Sequence, residues 1–145
     1  MKKMISFLLL LIPILCYPQA DQKEQEAILN ILHDQQAAWN AYDLEGYMDS
    51  YWKSPELTFY GSSGVVKGWQ NTLERYRKSY PSREHFGTLE LKVNHMSKIG
   101  RKDYTVMGEY HLERPVGNAR GIFMLVVKKI KGSWTIVADT SCGVE

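Results

Sequence analysis

Four segments in the second half of the chain decide the fold: TLELKVNHMSKI (residues 88–99), YTVMGEYHLER (104–114), GIFMLVVKKI (121–130) and SWTIVADTS (133–141). Apolar and polar residues alternate along them with the period of two that is typical of β-strands. Only short turns separate the segments, at residues 100–101, 115–118 and 131–132. Short connections join antiparallel neighbours, so the sequence predicts a four-stranded antiparallel sheet in chain order.

Side-chain pairing predicts the register of this sheet. If Ile99 faces Lys102, then Lys92 meets Glu109 as an opposite-charge pair and His95 meets Val106. A four-residue loop and then a two-residue turn predict two further pairings, Tyr110 with Phe123 and Leu125 with Ala138. The inner face of the sheet would then carry Leu89, Leu91, Val93, His95, Val106, Tyr110, Phe123, Leu125, Val127, Trp134, Ile136 and Ala138.

The opposite face is predicted to be unusually apolar. Beside Glu90, Lys92, Glu109 and Asp139 it would carry Met107, Ile122, Met124, Val126 and Val137. An exposed apolar patch of this kind indicates an interaction surface. We therefore expect a homodimer formed through the outer face of the sheet.

Three helices are predicted before the sheet. Apolar residues recur with helical spacing over residues 21–42, and Trp69, Leu73, Tyr76 and Tyr80 repeat the pattern later. Between these helices, Asp43 is a suitable N-cap for a shorter one, and residues 57–66 form a small hairpin around Gly61-Ser-Ser-Gly64. The predicted class is therefore α+β, with three N-terminal helices on a curved, mainly antiparallel sheet.

The first 20 residues have the pattern of a signal peptide. Lys2 and Lys3 precede an apolar run, Met4 to Leu15, that is too short for a membrane span. The sequence thus predicts an exported protein, periplasmic or secreted, with one domain at residues 21–145. Leu15 stands before Cys16 where lipid attachment requires a small residue, so the pattern disfavours an anchor there.

Charge and composition exclude several kinds of partner. Without Lys2 and Lys3 the 18 lysines and arginines fall to 16, which equals the 16 acidic residues. No basic surface is left for nucleic acid. The four histidines are scattered, Cys142 is the only cysteine after residue 20, and no phosphate-loop pattern follows Gly64. We predict neither a metal nor a cofactor.

A family resemblance is carried by pieces spread over the chain: WNAYD (39–43), YW (51–52), LTFYG (57–61), GW (68–69), GEYHL (108–112) and GSWTIVADTS (132–141). In this order the chain resembles the nuclear-transport-factor-2-like superfamily, and within it the SnoaL-like branch related to ketosteroid isomerases. The resemblance implies a cone-shaped roll, a pocket between the helices and the concave sheet, and frequent homodimers. It implies little about chemistry, because the same fold hosts isomerases, dehydratases, cyclases and binding modules.

The number of aromatic residues predicts what the pocket takes. Four tryptophans and nine tyrosines exceed what the core of one small domain needs, so the surplus would line a cavity for a small hydrophobic molecule. The alternative for each ring is plain core packing. The predicted ligand-binding residues are Trp39, Tyr42, Trp52, Phe59, Tyr60, Trp69, Tyr76, His95, Tyr110 and Phe123.

His95, Tyr110 and Asp139 are the candidates for acid–base catalysis. His95 could be a general base or a core histidine, and Tyr110 with Tyr60 could donate to an oxyanion or form pocket wall. The predicted register directs Asp139 outward to the dimer interface, while a one-residue bulge would turn it inward as a base with a raised pKa.

Three functions therefore remain open. The first is an exported binding protein for a small hydrophobic molecule. The second is an enzyme of the isomerase, dehydratase or cyclase type that acts on such a molecule. The third is a module that mainly dimerises or attaches to a partner.

Overall fold

The computed structural model of the chain describes residues 16–144, and its side chains from residue 20 onward. Most of the predicted signal peptide lies outside these residues, so export and lipid attachment stay predictions. The described part contains four helices and six strands: α1 (Cys16–Asn40), α2 (Leu44–Met48), β1 (Thr58–Gly61), β2 (Gly64–Lys67), α3 (Trp69–Ser79), α4 (Arg83–Phe86), β3 (Thr88–Gly100), β4 (Asp103–Glu113), β5 (Ala119–Ile130) and β6 (Ser133–Gly143). The predicted helices, hairpin and long strands are confirmed, and the short helix α4 is an addition.

The six strands form one curved, unclosed sheet in the order β2-β1-β6-β5-β4-β3. The four long strands pair antiparallel in chain order, as predicted. The hairpin extends the sheet, because β1 pairs with β6 in parallel. The fold class is therefore α+β, with helices packed on a mostly antiparallel sheet.

Helix α1 lies against β3, the strand at one edge of the sheet. The side chain of Asn40 donates to the carbonyl oxygen of Leu89 at 3.0 Å and accepts from its backbone nitrogen at 2.7 Å. Gln36 accepts from the backbone nitrogen of Leu91 at 2.7 Å. These bonds satisfy backbone groups that an edge strand leaves without a neighbour, and they set the distance between α1 and the sheet.

A bulge in β3 corrects the predicted position of His95. The predicted register holds from Leu89 to Val93 and then shifts, so that Met96 rather than His95 is opposite Val106. Met96 packs against the core, and His95 is exposed. The extra residue stabilises the fold because it buries the apolar side chain of Met96 where the imidazole of His95 would otherwise lie.

Two glycines correct the predicted pairing of β4 with β5. Tyr110 is opposite Gly121, and Phe123 is opposite Gly108, not opposite Tyr110. A Cβ atom on Gly121 would lie 2.5 Å from a Tyr110 ring carbon, and one on Gly108 would lie 2.4 Å from the Phe123 ring. Each ring thus crosses bare backbone on the neighbouring strand. The shift is by two residues, so both aromatic side chains keep the predicted face.

A second bulge, in β6, reverses the predicted direction of Asp139. Val127 pairs with Ile136, which agrees with the register predicted from Leu125 and Ala138, but Val126 pairs with Ala138, so Val137 is the extra residue. Asp139 then lies opposite Leu125, where Ala138 was expected, and is 4% exposed. The predicted outward position of Asp139 is therefore wrong, and the inward alternative through a one-residue bulge is correct.

The outer face of the sheet keeps the apolar character that the sequence predicts. Met107, Ile122 and Met124 are 41%, 54% and 41% exposed. Cys142 is opposite Ile122 and is an exposed free thiol.

Candidate functional site

A cavity of about 180 Å³ lies between the helices and the concave face of the sheet. The family resemblance implies a pocket in this position. The residues that line it come from the helices α1, α2 and α3, from the segments that follow α2, α3 and β1, and from all the strands except β2. They are Leu32, Gln35, Trp39, Tyr47, Tyr51, Phe59, Ser62, Arg75, Tyr76, Tyr80, Leu89, Leu91, Tyr110, Leu112, Phe123, Leu125, Asp139, Ser141 and Gly143.

Five of the ten residues predicted to bind a ligand line this cavity. They are Trp39, Phe59, Tyr76, Tyr110 and Phe123. Their common feature is an inward position on a helix stripe or on the concave face of the sheet. The aromatic character predicted for the pocket follows from these rings.

The other five predicted residues lie elsewhere. His95 is turned out by the bulge in β3, and Tyr60 is 50% exposed. Tyr42 follows α1 with a positive φ of 63°, and its ring lies under the Arg83 guanidinium at 4.2 Å. The Trp69 indole donates to the carbonyl oxygen of Met48 at 2.9 Å, so it joins two helices. Trp52 is half-buried outside the cavity lining.

Trp39 organises the aromatic wall. Its ring contacts Phe86, Tyr80, Tyr47 and Tyr76, with centroids at 4.6, 4.7, 5.0 and 6.1 Å. Its indole nitrogen donates to the carbonyl oxygen of Phe86 at 3.1 Å. Because edge-to-face pairs of this kind hold rings at fixed angles, α1, α2, α3 and α4 are joined around one side of the cavity.

Asp139 places a buried carboxyl group in the cavity lining. Its Oδ2 accepts from the Tyr51 hydroxyl at 2.5 Å, and its Oδ1 accepts from the Ser141 hydroxyl at 2.7 Å. Among the described residues it is the one carboxylate that lines the cavity. A carboxylate oxygen can accept more than one hydrogen bond, so both oxygens retain capacity for a ligand.

Burial raises the pKa of the Asp139 carboxyl above its usual value, although the bonds from Tyr51 and Ser141 and the positive charge of Arg75 oppose the rise. Burial and the nearby Asp139 charge raise the pKa of Tyr47 to about 12 and that of Tyr51 well above its usual value. Burial also raises the pKa of Tyr76. These tyrosines therefore stay neutral hydrogen-bond donors at physiological pH.

Arg75 brings a cation to the same cavity. Its guanidinium carbon lies 4.2 Å from the centre of the Phe59 ring and 5.5 Å from that of Tyr76. The Nε atom is buried without a hydrogen-bond partner among the described residues. Among the described residues, the cavity thus combines apolar walls with one carboxyl group and one guanidinium.

Sequence reasoning did not assign several of these residues to the pocket. Tyr80 is predicted only as part of the apolar stripe of the third helix, and neither Tyr51 nor Gln35 is among the predicted ligand-binding residues. Arg75 gave no signal, because one charged residue in an amphipathic helix is ordinary. His111 does not line the cavity: it is exposed, and its Nε2 lies 3.7 Å from Oε2 of Glu109.

Residues 16–144 contain neither a metal-binding cluster nor a membrane-spanning helix. Within residues 16–144, no three His, Cys, Asp or Glu side chains are grouped so that they could hold a metal ion. No helix in that range is long and apolar enough to cross a membrane.

Comparison with known proteins finds likeness in solved structures. No protein-family model matches the chain, and no curated protein matches it. The chain is similar to an NTF-2 like protein of unknown function from Shewanella oneidensis MR-1, with 32% identity and a TM-score of 0.78. The match covers 81% of this chain and 98% of that one.

Two more distant structures share the fold. A ketosteroid isomerase-like protein from Erwinia carotovora atroseptica SCRI1043 has a TM-score of 0.70 at 12% identity, over 85% of this chain and 98% of that one. A hexachlorocyclohexane dehydrochlorinase (LinA Type2) has a TM-score of 0.73 at 12% identity, over 88% and 90% of the two chains. At this identity the likeness concerns the fold alone.

Proposed function

The chain belongs to the nuclear-transport-factor-2-like family, and from this fold and its cavity we propose that the protein binds a small, mostly apolar molecule that presents a polar group to Asp139. The observation that carries the proposal is the cavity itself. Aromatic and leucine side chains form most of its wall, and a buried carboxylate with two hydroxyl donors belongs to the same lining. Pockets that are mainly apolar with a few placed polar groups are typical of small-molecule sites.

Binding of simple aromatic alcohols tests this proposal. We expect 2-naphthol or phenol to bind, because each has a flat apolar body and one hydroxyl group for Asp139. Substitution Leu91→Phe adds volume at a half-buried position of the cavity wall and should weaken binding by about tenfold or more. Isothermal titration calorimetry measures both affinities.

The control variant is Val65→Phe. Val65 is 61% exposed on β2, outside the cavity lining, so the same added bulk should leave the affinity unchanged. Equal affinity of wild type and Leu91→Phe would place the bound alcohol outside the cavity. If neither 2-naphthol nor phenol binds, the proposed function is contradicted.

An acid–base enzyme is the second candidate, and the position of Asp139 favours it. A buried carboxyl with a raised pKa beside neutral tyrosine donors can remove or return a proton. The test is exchange of the protons next to the carbonyl of 2-indanone in deuterated water, followed by NMR. Exchange that is faster with wild type than with Asp139→Asn would support an enzyme, and equal rates would favour binding alone.

A homodimer through the outer face of the sheet is also proposed. The exposed Met107, Ile122 and Met124 support it, because a protein surface seldom leaves such side chains grouped in water without a partner. Sedimentation equilibrium at micromolar concentration is the test, and a monomer there would exclude the dimer.

We further propose that the protein acts outside the cytoplasm. Lys2 and Lys3 before the apolar run Met4 to Leu15 support export. Mass spectrometry of the protein from its native host gives the first residue, and an intact residue 1 would contradict cleavage.

A further inference from the structure

The charge of Arg75 is not balanced by an ion pair. Its side chain extends from α3 into the cavity lining, and it is the one cationic residue there among those described. No carboxylate of residues 16–144 lies within ion-pair distance of it, whereas its helix neighbour Arg77 pairs with Glu45 at 2.7 Å and with Glu74 at 2.6 Å. A half-buried guanidinium without a counter-ion is costly unless a ligand supplies one.

The surroundings hold the guanidinium in place without satisfying it. The faces of Phe59 and Tyr76 support it through cation–π contacts. Gly61 leaves it room, because a Cβ atom at that position would lie 3.0 Å from Nη2. Neither contact is a hydrogen bond, so the N–H groups stay available to a planar acceptor, and Nε is buried with no partner in the described part of the chain.

Asp139 is not that acceptor. Its oxygens accept from the hydroxyl groups of Tyr51 and Ser141, and no hydrogen bond or ion pair among residues 16–144 joins Asp139 to Arg75. The positive charge of Arg75 nevertheless extends through the cavity, because it lowers the pKa values of Asp139, Tyr80 and Tyr110 against the effect of burial. An anion bound beside Arg75 would therefore lie in a favourable field.

We propose that the natural ligand is a small carboxylic acid whose carboxylate is held by Arg75 and whose apolar body fills the aromatic cavity. The inference rests on the proposed binding function and adds the chemical class of the ligand. A guanidinium matches a planar carboxylate with two parallel hydrogen bonds. A single cation beside a carboxylate such as Asp139 suits a monoanion better than a doubly charged phosphate.

The experiment compares an acid with its neutral amide of the same shape. Phenylacetate and phenylacetamide are titrated into the full-length protein at pH 7, where the acid is ionised. We expect phenylacetate to bind about tenfold tighter or more. In Arg75→Gln this preference should disappear through weaker acid binding, while amide affinity stays within about twofold. Arg75→Lys, which keeps the charge but loses the planar fork, should retain part of the preference.

Lys78→Gln is the matched control. Lys78 is an exposed cation on the same helix with no ion pair among the described residues, so it should leave both affinities unchanged. Equal affinity of acid and amide for wild type would overturn the carboxylate inference and leave small-molecule binding in place. Failure of both probes to bind would overturn the inference, and the binding function would then be decided by the titration of 2-naphthol and phenol. If Arg75→Gln does not fold, the wild-type comparison and Arg75→Lys decide the question.

Discussion

Replacement of Trp39 by alanine will lower the free energy of unfolding by about 3–5 kcal/mol, the range for loss of a large buried aromatic side chain. Trp39 is 3% exposed and its ring contacts four other aromatic rings. Its indole also holds the carbonyl oxygen of Phe86, which the variant would leave unpaired. Urea unfolding followed by far-ultraviolet circular dichroism measures the loss.

Two variants test whether this effect belongs to the aromatic cluster. Trp52→Ala removes the same side chain from a half-buried position outside the cavity, so we expect less than half the loss. Trp39→Phe keeps an apolar ring but removes the indole donor, and its loss should lie between wild type and Trp39→Ala. A loss below about 1 kcal/mol for Trp39→Ala would show that the neighbouring rings close the space.

Loss of Trp39 should also abolish ligand binding. The rings of Tyr47, Tyr76 and Tyr80 are positioned by their contacts with Trp39, and all three line the cavity. Without the indole these rings can turn into the space that a ligand would occupy. Stability and ligand binding thus depend on the same packing, because the wall of the cavity is also the centre of the helical layer.

The sequence determines much of this fold through local pattern. The period-two alternation predicted four paired strands, and the charge pair Lys92–Glu109 gave the correct register for half of the first hairpin. The register of β4 with β5 failed because the decisive factor was a missing side chain. Gly108 and Gly121 leave space for the rings on the opposite strand. A pattern of apolar residues does not show where a missing Cβ atom leaves such space.

The candidate site was harder to predict than the fold, because two bulges decide which side chains face it. An extra residue reverses the faces of a strand. His95, predicted to point inward, therefore points outward, and Asp139, predicted to point outward, points inward. Val137 is apolar like its neighbours, and nothing in its type marks it as unpaired. Arg75 was missed for another reason. Its role depends on Phe59 and Gly61, which lie on a different element of the fold.

The two charges of the cavity make different demands on stability. Asp139 is buried and accepts two hydrogen bonds, which offset part of the rise in its pKa that burial causes. Arg75 is half-buried and keeps an unpaired N–H. A site whose carboxyl group has its donors and whose guanidinium lacks an acceptor is prepared for an anion. An anion bound at Arg75 would therefore stabilise the protein, because a ligand that binds only the folded state raises the free energy of unfolding.

Replacement of Tyr51 by phenylalanine will lower the free energy of unfolding by an amount that rises with pH. The Tyr51 hydroxyl donates to Asp139 at 2.5 Å, and a hydrogen bond to a charged group contributes about 1.5–3 kcal/mol. Because burial raises the folded-state pKa of Asp139, the ionised carboxylate is present only above that raised value. The stability that a raised pKa confers is complete below the unfolded value of 3.8 and is lost as pH rises through the folded value.

The sign for the variant follows from this linkage. The Tyr51 bond favours the ionised form, so its removal raises the pKa of Asp139 further. The loss in Tyr51→Phe should therefore be small near pH 4, grow as pH rises through the folded-state pKa of Asp139, and reach its full size once the carboxylate is ionised. Urea unfolding at several pH values between 4 and 8 measures this profile.

Tyr47→Phe and Asp139→Asn complete the test. The Tyr47 hydroxyl contacts that of Tyr76 at 3.4 Å and none of the carboxylates at hydrogen-bond distance in the described residues, so its removal should cost less and vary little with pH. In the Asp139→Asn background the Tyr51→Phe loss should become independent of pH, because the titrating group is gone. A Tyr51→Phe loss that is equal at pH 4 and pH 8 in the wild-type background would mean that the Tyr51 bond does not distinguish the two forms of Asp139. The Tyr51–Asp139 pair would then be a purely structural hydrogen bond, and this result would argue against Asp139 as the group that exchanges protons with a ligand.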